Sequence, residues 1–220
     1  MNSSLSLSLP CNPSLDEMDI SQVPGALELC GSRISIDSLN WPEEFPYRPL
    51  TVVTAAHSGT AIYLDFLVRC NYLRAENYID NTHVDQDSCV EFFVAPDPAV
   101  PAGYLSVGVN CIGTVRATRH NLDGTSRLCS PRELAMIRRH ASVGSRPFRE
   151  VEGSFIWSVT FALPMSLIGV EYAGHPLELK ANFNKCAALT SQPHYLSWAP
   201  ISSEKPDFHR PEAFAPVILQ

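Results

Sequence analysis

The stretch AIYLDFLVR, Ala61 to Arg69, sets Ile62, Leu64, Phe66 and Val68 on one side and Tyr63, Asp65 and Arg69 on the other. Successive side chains leave a strand in opposite directions, so a period of two marks a strand with one face buried. FIWSVTFAL repeats the pattern, with Phe155, Trp157, Val159 and Phe161 alternating against Ser158, Thr160 and Ala162. Strands of this kind need a sheet and a second layer to cover the apolar face. LTVVTAA (Leu50 to Ala56), CVEFFVA (Cys89 to Ala95), GYLSVGVNCIGTVRATR (Gly103 to Arg119) and PLELKANFNK (Pro176 to Lys185) are further strands or hairpins, bounded by Pro, Gly, Asn and Asp. One helix is readable. In SPRELAMIRR, Ser130 caps, Pro131 takes the first helical position and Glu133 completes a capping box, and the helix is expected to lie across the outside of a sheet. Many short strands and little helix predict an all-β fold, an antiparallel two-sheet β-sandwich of immunoglobulin or jelly-roll type with one or two short helices. Trp157 is then a core residue.

A chain of 220 residues fits one larger domain. Residues 1–44 read as an irregular lead-in, ending in the proline-rich NWPEEFPYRP, and residues 45–220 as the sandwich. The net charge of -7 argues against nucleic acid as a partner, since such binding depends on neutralising phosphates. Thirteen of the sixteen basic residues are arginine and eight of them fall between Arg116 and Arg149, which reads first as a solvated flank. No stretch approaches eighteen apolar residues, so no membrane partner is expected, and the first residues lack the basic and unbroken apolar regions of a secretory signal.

The seven cysteines (Cys11, Cys30, Cys70, Cys89, Cys111, Cys129, Cys186) are odd in number, scattered, and contain no C-x-x-C pair. That argues against a zinc or redox motif and for reduced thiols packed as small hydrophobes. The seven histidines (His57, His83, His120, His140, His175, His194, His209) show no H-x-x-x-H or H-E-x-x-H spacing, and there is no nucleophile elbow, P-loop or dinucleotide fingerprint. No cofactor is expected, with structural calcium on acidic loops left open and no ligands assigned.

Two segments carry chemistry. DQDSCVEFFVAPD gathers Asp85, Asp87, Glu91 and Asp97 around one strand, where Glu91 and Phe93 share a face and Val90 and Phe92 take the other. Glu91 with Asp85 or Asp87 would serve a glycoside hydrolase if the carboxyl groups stood roughly 5–10 Å apart across a cleft. PHYLSWAPISSEKPDFHRPEAF, Pro193 to Phe214, is too rich in proline for a regular helix or a long strand, so it is an extended loop that wraps the core or presents its aromatics to a ligand.

In order, Phe45 to Pro49, AIYLDFLV, DSCVEFFVAPD, YLSVGVNCIGT, FIWSVTFALPMSLIG, LKANFNKC and the closing segment resemble the family 9-like carbohydrate-binding modules, within the broader DOMON-like β-sandwiches. The resemblance implies sugar binding, on plant-type polysaccharides such as xylan or cellulose, in the company of xylanases. It also implies two tryptophans that sandwich the sugar, where this chain has His83 or Val84 and, for the second, Phe208. The acidic residue of the pattern is kept as Glu91. Its arginine is replaced by Gly108, an amide is matched by Lys205, and a final glycine by Ala215. The expected ligand-binding set is therefore Phe208, His209, Trp198, Tyr195, Glu91 and His83, with Arg116 and Arg119 as candidates for an anionic sugar such as a uronate. The alternatives are the glycoside hydrolase and a non-sugar interaction module. Haem, carried by other DOMON-like domains, would need His or Met ligands, and Met1, Met18, Met136 and Met165 are poorly placed for it. The thiols favour a reducing interior, whereas polysaccharide binding would favour export.

Overall fold

The computed structural model describes residues 5–96 and 103–220. Among them the strands are Leu7–Leu9 (β1), Ser32–Ser35 (β2), Ser38–Leu39 (β3), Leu50–His57 (β4), Ala61–Ala75 (β5), Cys89–Ala95 (β6), Tyr104–Asn110 (β7), Val115–His120 (β8), Ser126–Leu128 (β9), Arg138–Ala141 (β10), Phe148–Pro164 (β11), Leu177–Ala187 (β12), His194–Ser197 (β13) and Ala215–Leu219 (β14). Helices are Val23–Cys30 (α1), Pro131–Ala135 (α2) and Met165–Ile168 (α3). One sheet runs β1-β14-β12-β6-β7-β8-β9, with β13 sharing the outer edge of β12 and β3 pairing β13; the other runs β10-β11-β5-β4-β2. Every pairing is antiparallel except β1 with β14. This is the expected β-sandwich.

The alternation read in the sequence decides what lies between the sheets. Ile62, Leu64, Phe66 and Val68 of β5 and Trp157, Val159 and Phe161 of β11 meet Val90, Phe92 and Val94 of β6 and Phe183 of β12 in one buried cluster. Phe66 stacks on Phe161 at 5.8 Å and Phe92 on Phe183 at 4.9 Å. Each such ring contributes about 1.5–3 kcal/mol by leaving water.

Three expectations need correction. Residues 5–44 are not irregular: β1 pairs β14, β2 pairs β4, β3 pairs β13, and α1 packs Val23 and Leu27 on the outer side of the smaller sheet against Tyr63. Strands of two to four residues carry no readable period, and their partners lie far along the chain. Helix α2 has the capping box as predicted, but it does not lie on the outside of a sheet. It links edge strand β9 to edge strand β10, and Leu134 with Ile137 after it enter the central core. The arginine-rich stretch is not merely solvated either. Arg119 and Arg127 hold Glu133, Arg138 reaches the Met18 carbonyl, and Arg139 pairs with Asp80 at 2.7 Å. Among the described residues no helix is long and apolar enough to cross a membrane.

Candidate functional site

The strand parity that buries Val90 and Phe92 turns Cys89, Glu91 and Phe93 onto the outer face of the larger sheet. β7 adds Ser106 and Gly108 there, β8 adds Arg116, Thr118 and His120, and β12 adds Cys186. A pocket of about 390 Å³ opens over these residues. Its walls come from the turn around Val84 and Asp85, from Tyr195 of β13, and from Pro206 to His209.

The proline-rich segment is held in place by the residues read as lead-in. Trp41 Nε1 donates to the Ser203 carbonyl at 2.9 Å, and Asn40 Oδ1 accepts the Ile201 N–H at 2.9 Å. Phe208 packs against Trp41 and Tyr195, both with ring centroids 6.1 Å away, and Phe45 packs edge-on to Tyr195. His209 lies flat over Phe93, centroids 4.9 Å apart, and its Nδ1 is 2.9 Å from the Tyr104 hydroxyl. The backbone N–H of His209 donates to Asp207, which also binds Arg210. The loop therefore has its own small apolar core of Trp41, Phe93, Ile201, Phe208 and Phe214.

Polar groups on the pocket floor are short of partners. Glu91 is 8% exposed, and its Oε2 has no hydrogen-bond partner among the described residues. Asn184, directly opposite on β12 and buried behind the lining, meets no partner in full hydrogen-bond geometry, although its side chain stands close enough to Glu91 to act on the carboxyl. Burial, with the Asp85 charge adding to it, pushes the Glu91 carboxyl up to about 8, while Asn184, Arg116 and Lys185 pull it back only in part. Burial pushes His120 down to about 4, with His209 beside it adding to the effect, and burial lowers His209 as well. Burial raises the Tyr104 hydroxyl to about 12. At neutral pH the histidine pair stays uncharged, with His120 stacked on the Tyr104 ring at 4.4 Å and tilted against His209 at 4.8 Å.

A pH dependence follows. An unfolded chain protonates His120 near pH 6.5 while the folded one holds it neutral to about pH 4, so the unfolded state binds more protons in this window. Stability from this group is present above pH 6.5 and is lost as the pH falls toward 4. Glu91 titrates with the opposite sign over part of the same range. The comparison is thus between wild type and His120→Gln: chemical denaturation at pH 4, 5.5 and 7 should show the variant losing less stability on acidification.

Five of the six expected ligand-binding residues, Phe208, His209, Tyr195, Glu91 and His83, come together at the pocket. Trp198 does not. It is 6% exposed, turned into the sandwich and packed edge-on to Phe183 at 5.5 Å, because its backbone N–H continues the pairing to the Phe183 carbonyl. Asp85 lines the pocket, but Asp87 is fully buried beneath it and bound to Arg74, Asn110 and the N–H groups of residues 76 and 77. A carboxylate pair made with Asp87 is therefore excluded. Asp97 lies outside the described residues. Of the two arginines, Arg119 turns to Glu133 and the Leu167 carbonyl, whereas Arg116 lines the pocket and donates to His83 Nδ1 at 3.2 Å.

Arg116 stands next to the position where the resemblance leads one to expect an arginine, as the direct cross-strand partner of Gly108. Gly108 keeps the space above Glu91 open, since a Cβ there would come within 3.2 Å of Val84 and 3.4 Å of the Glu91 carboxylate. Sequence reading alone missed Asn184 and Cys186. Their place beside Glu91 follows from the β6–β12 register, which no short motif encodes.

A two-sheet sandwich with a concave, aromatic and polar pocket on one outer face has the architecture of a carbohydrate-binding module. Residues 26–219 match the model of carbohydrate-binding family 9, and the chain belongs to that family. A candidate carbohydrate-binding protein from Bacteroides uniformis ATCC 8492 is 30% identical over 99% of this chain and 100% of that one, with a TM-score of 0.92. A family 9 carbohydrate-binding module from Caldicellulosiruptor kristjanssonii shares the fold at 10% identity, in a complex with glucose (TM-score 0.59, 98% of this chain and 96% of that one). Its complex with cellotriose gives a TM-score of 0.58, with 98% and 94% covered. No curated protein matches the sequence.

Proposed function

We propose that the pocket over Glu91 binds the end of a short oligosaccharide, of the kind derived from plant polysaccharides such as xylan or cellulose. The observation that carries this reading is the buried, unpartnered carboxylate oxygen of Glu91 on its floor. Glu91 Oε2 lies on the pocket lining and needs a donor, which a sugar hydroxyl supplies. The exposed imidazole of His209, held flat by Phe93, offers a face to the apolar C–H side of a pyranose, and Tyr195 and Phe208 bound the space beside it. Arg116 is the only lysine or arginine on the described lining and stands with Asp85 and Asp207, a mixture that suits a neutral sugar better than a uronate.

The test is calorimetric titration with cello-, xylo- and uronic-acid oligosaccharides, with tryptophan fluorescence recorded in parallel. Trp41 is the reporter, because it touches Tyr195 and Phe208 while Trp157 and Trp198 sit in the central core. Saturable heat and a fluorescence change are expected with neutral oligosaccharides, and Glu91→Ala should weaken binding roughly tenfold or more through the lost hydrogen bonds. A folded protein that gives neither signal with any sugar would overturn the reading. Incubation of the same mixtures, followed by an assay for new reducing ends, separates binding from hydrolysis.

A further inference from the structure

We propose that Cys89, Glu91 and Cys186 form a binding site for one thiophilic divalent cation, zinc by preference, in the pocket floor. The two thiol sulfurs and a carboxylate oxygen all lie within 4.8 Å of one another, and all three residues are buried. β6 presents Cys89 and Glu91 on the same outer face, and β12 sets Cys186 directly opposite Cys89. Three such ligands occupy three corners of a tetrahedron. Glu91 and Cys186 line the pocket, which gives the ion a route in. Two sulfurs in the donor set favour zinc over calcium or magnesium, which take oxygen ligands.

A further observation points the same way. Glu91 is more than nine-tenths buried with its Oε2 unpartnered, and one of its carboxylate oxygens stands within 4.8 Å of both thiol sulfurs. Each thiol gives its proton to solvent as its sulfur takes the ion. The proposal does not rest on sugar binding, and its test contains no sugar.

The full chain, reduced and stripped of metal, is titrated with cobalt(II) alone. Sulfur-to-cobalt charge transfer in the near ultraviolet and intense tetrahedral visible bands are expected to saturate at one ion per chain, and zinc should displace the cobalt. The Cys89→Ser/Cys186→Ser variant, checked for fold by circular dichroism, should lose the charge-transfer band. Glu91→Gln should keep it but bind more weakly, by at least the roughly 10- to 100-fold that loss of a supporting group costs. A wild-type spectrum without charge transfer overturns the proposal whatever the variants do. So does a band that survives in the double serine variant, or a Cys89–Cys186 disulfide found in protein purified without reductant.

Discussion

Replacing Asp87 with alanine is expected to destabilise the fold by about 3–5 kcal/mol, seen as a lower urea midpoint at an unchanged slope. The Asp87 carboxylate is fully buried and accepts from Glu76 N at 3.0 Å, Asn77 N at 2.9 Å and Asn110 Nδ2 at 3.0 Å, with Arg74 Nε at 3.3 Å. Asn110 passes the connection on, donating to the Asn77 carbonyl and accepting the N–H groups of Ile112 and Thr114. One carboxylate thus ties the end of β5 to the β7–β8 turn. Its removal takes the acceptor from two backbone N–H groups and from one Asn110 amide hydrogen, and leaves Arg74 with Glu76 alone; each buried donor left unmet costs its desolvation. Asp87→Asn keeps the shape but points a donor at donors, so about half the loss is expected. The turn carrying Val84 and Asp85 leads directly into Asp87, so sugar affinity should fall together with stability. Glu91→Ala should separate the two quantities, weakening binding without a comparable loss of stability. An Asp87→Ala protein within about 1 kcal/mol of wild type would show that the network does not hold the turn.

What the sequence made legible was whatever repeats locally. The period of two in β5 and β11 placed the strands and their buried faces, and in β6 it paired Glu91 with Phe93 against Val90 and Phe92, though only the structure shows that the Glu91 face is the outer one. Ser130 and Glu133 specified the start of α2 down to reciprocal hydrogen bonds. What stayed hidden depended on register between distant segments. SWAPI has no period, so nothing in it says that Trp198 faces inward. The scattered cysteines argued against a metal motif, yet the β6–β12 pairing sets Cys89 against Cys186 from opposite halves of the chain. The lead-in read as irregular because its strands take their meaning from β4, β13 and β14.

The same register yields the second large effect, on ligand binding rather than stability. Gly108 and Arg116 face each other across β7 and β8, so their side chains can be exchanged without moving either strand. Arg116→Ala should weaken oligosaccharide binding by roughly 10- to 100-fold, the 1.5–3 kcal/mol of a charge-assisted hydrogen bond. It also frees His83, whose Nδ1 accepts from this guanidinium. Gly108→Arg alone should be at least as damaging, because a side chain enters the space between Val84 and the Glu91 carboxylate while a second guanidinium stands opposite. The double exchange Gly108→Arg/Arg116→Gly removes that repulsion and restores one cation to the pocket floor. It should recover binding relative to either single variant, a coupling that a double-mutant cycle by calorimetry measures directly. Additive losses would mean that the guanidinium acts only from β8. In that case Gly108 matters for the room it leaves above Glu91, and Gly108→Val would be as damaging as Gly108→Arg.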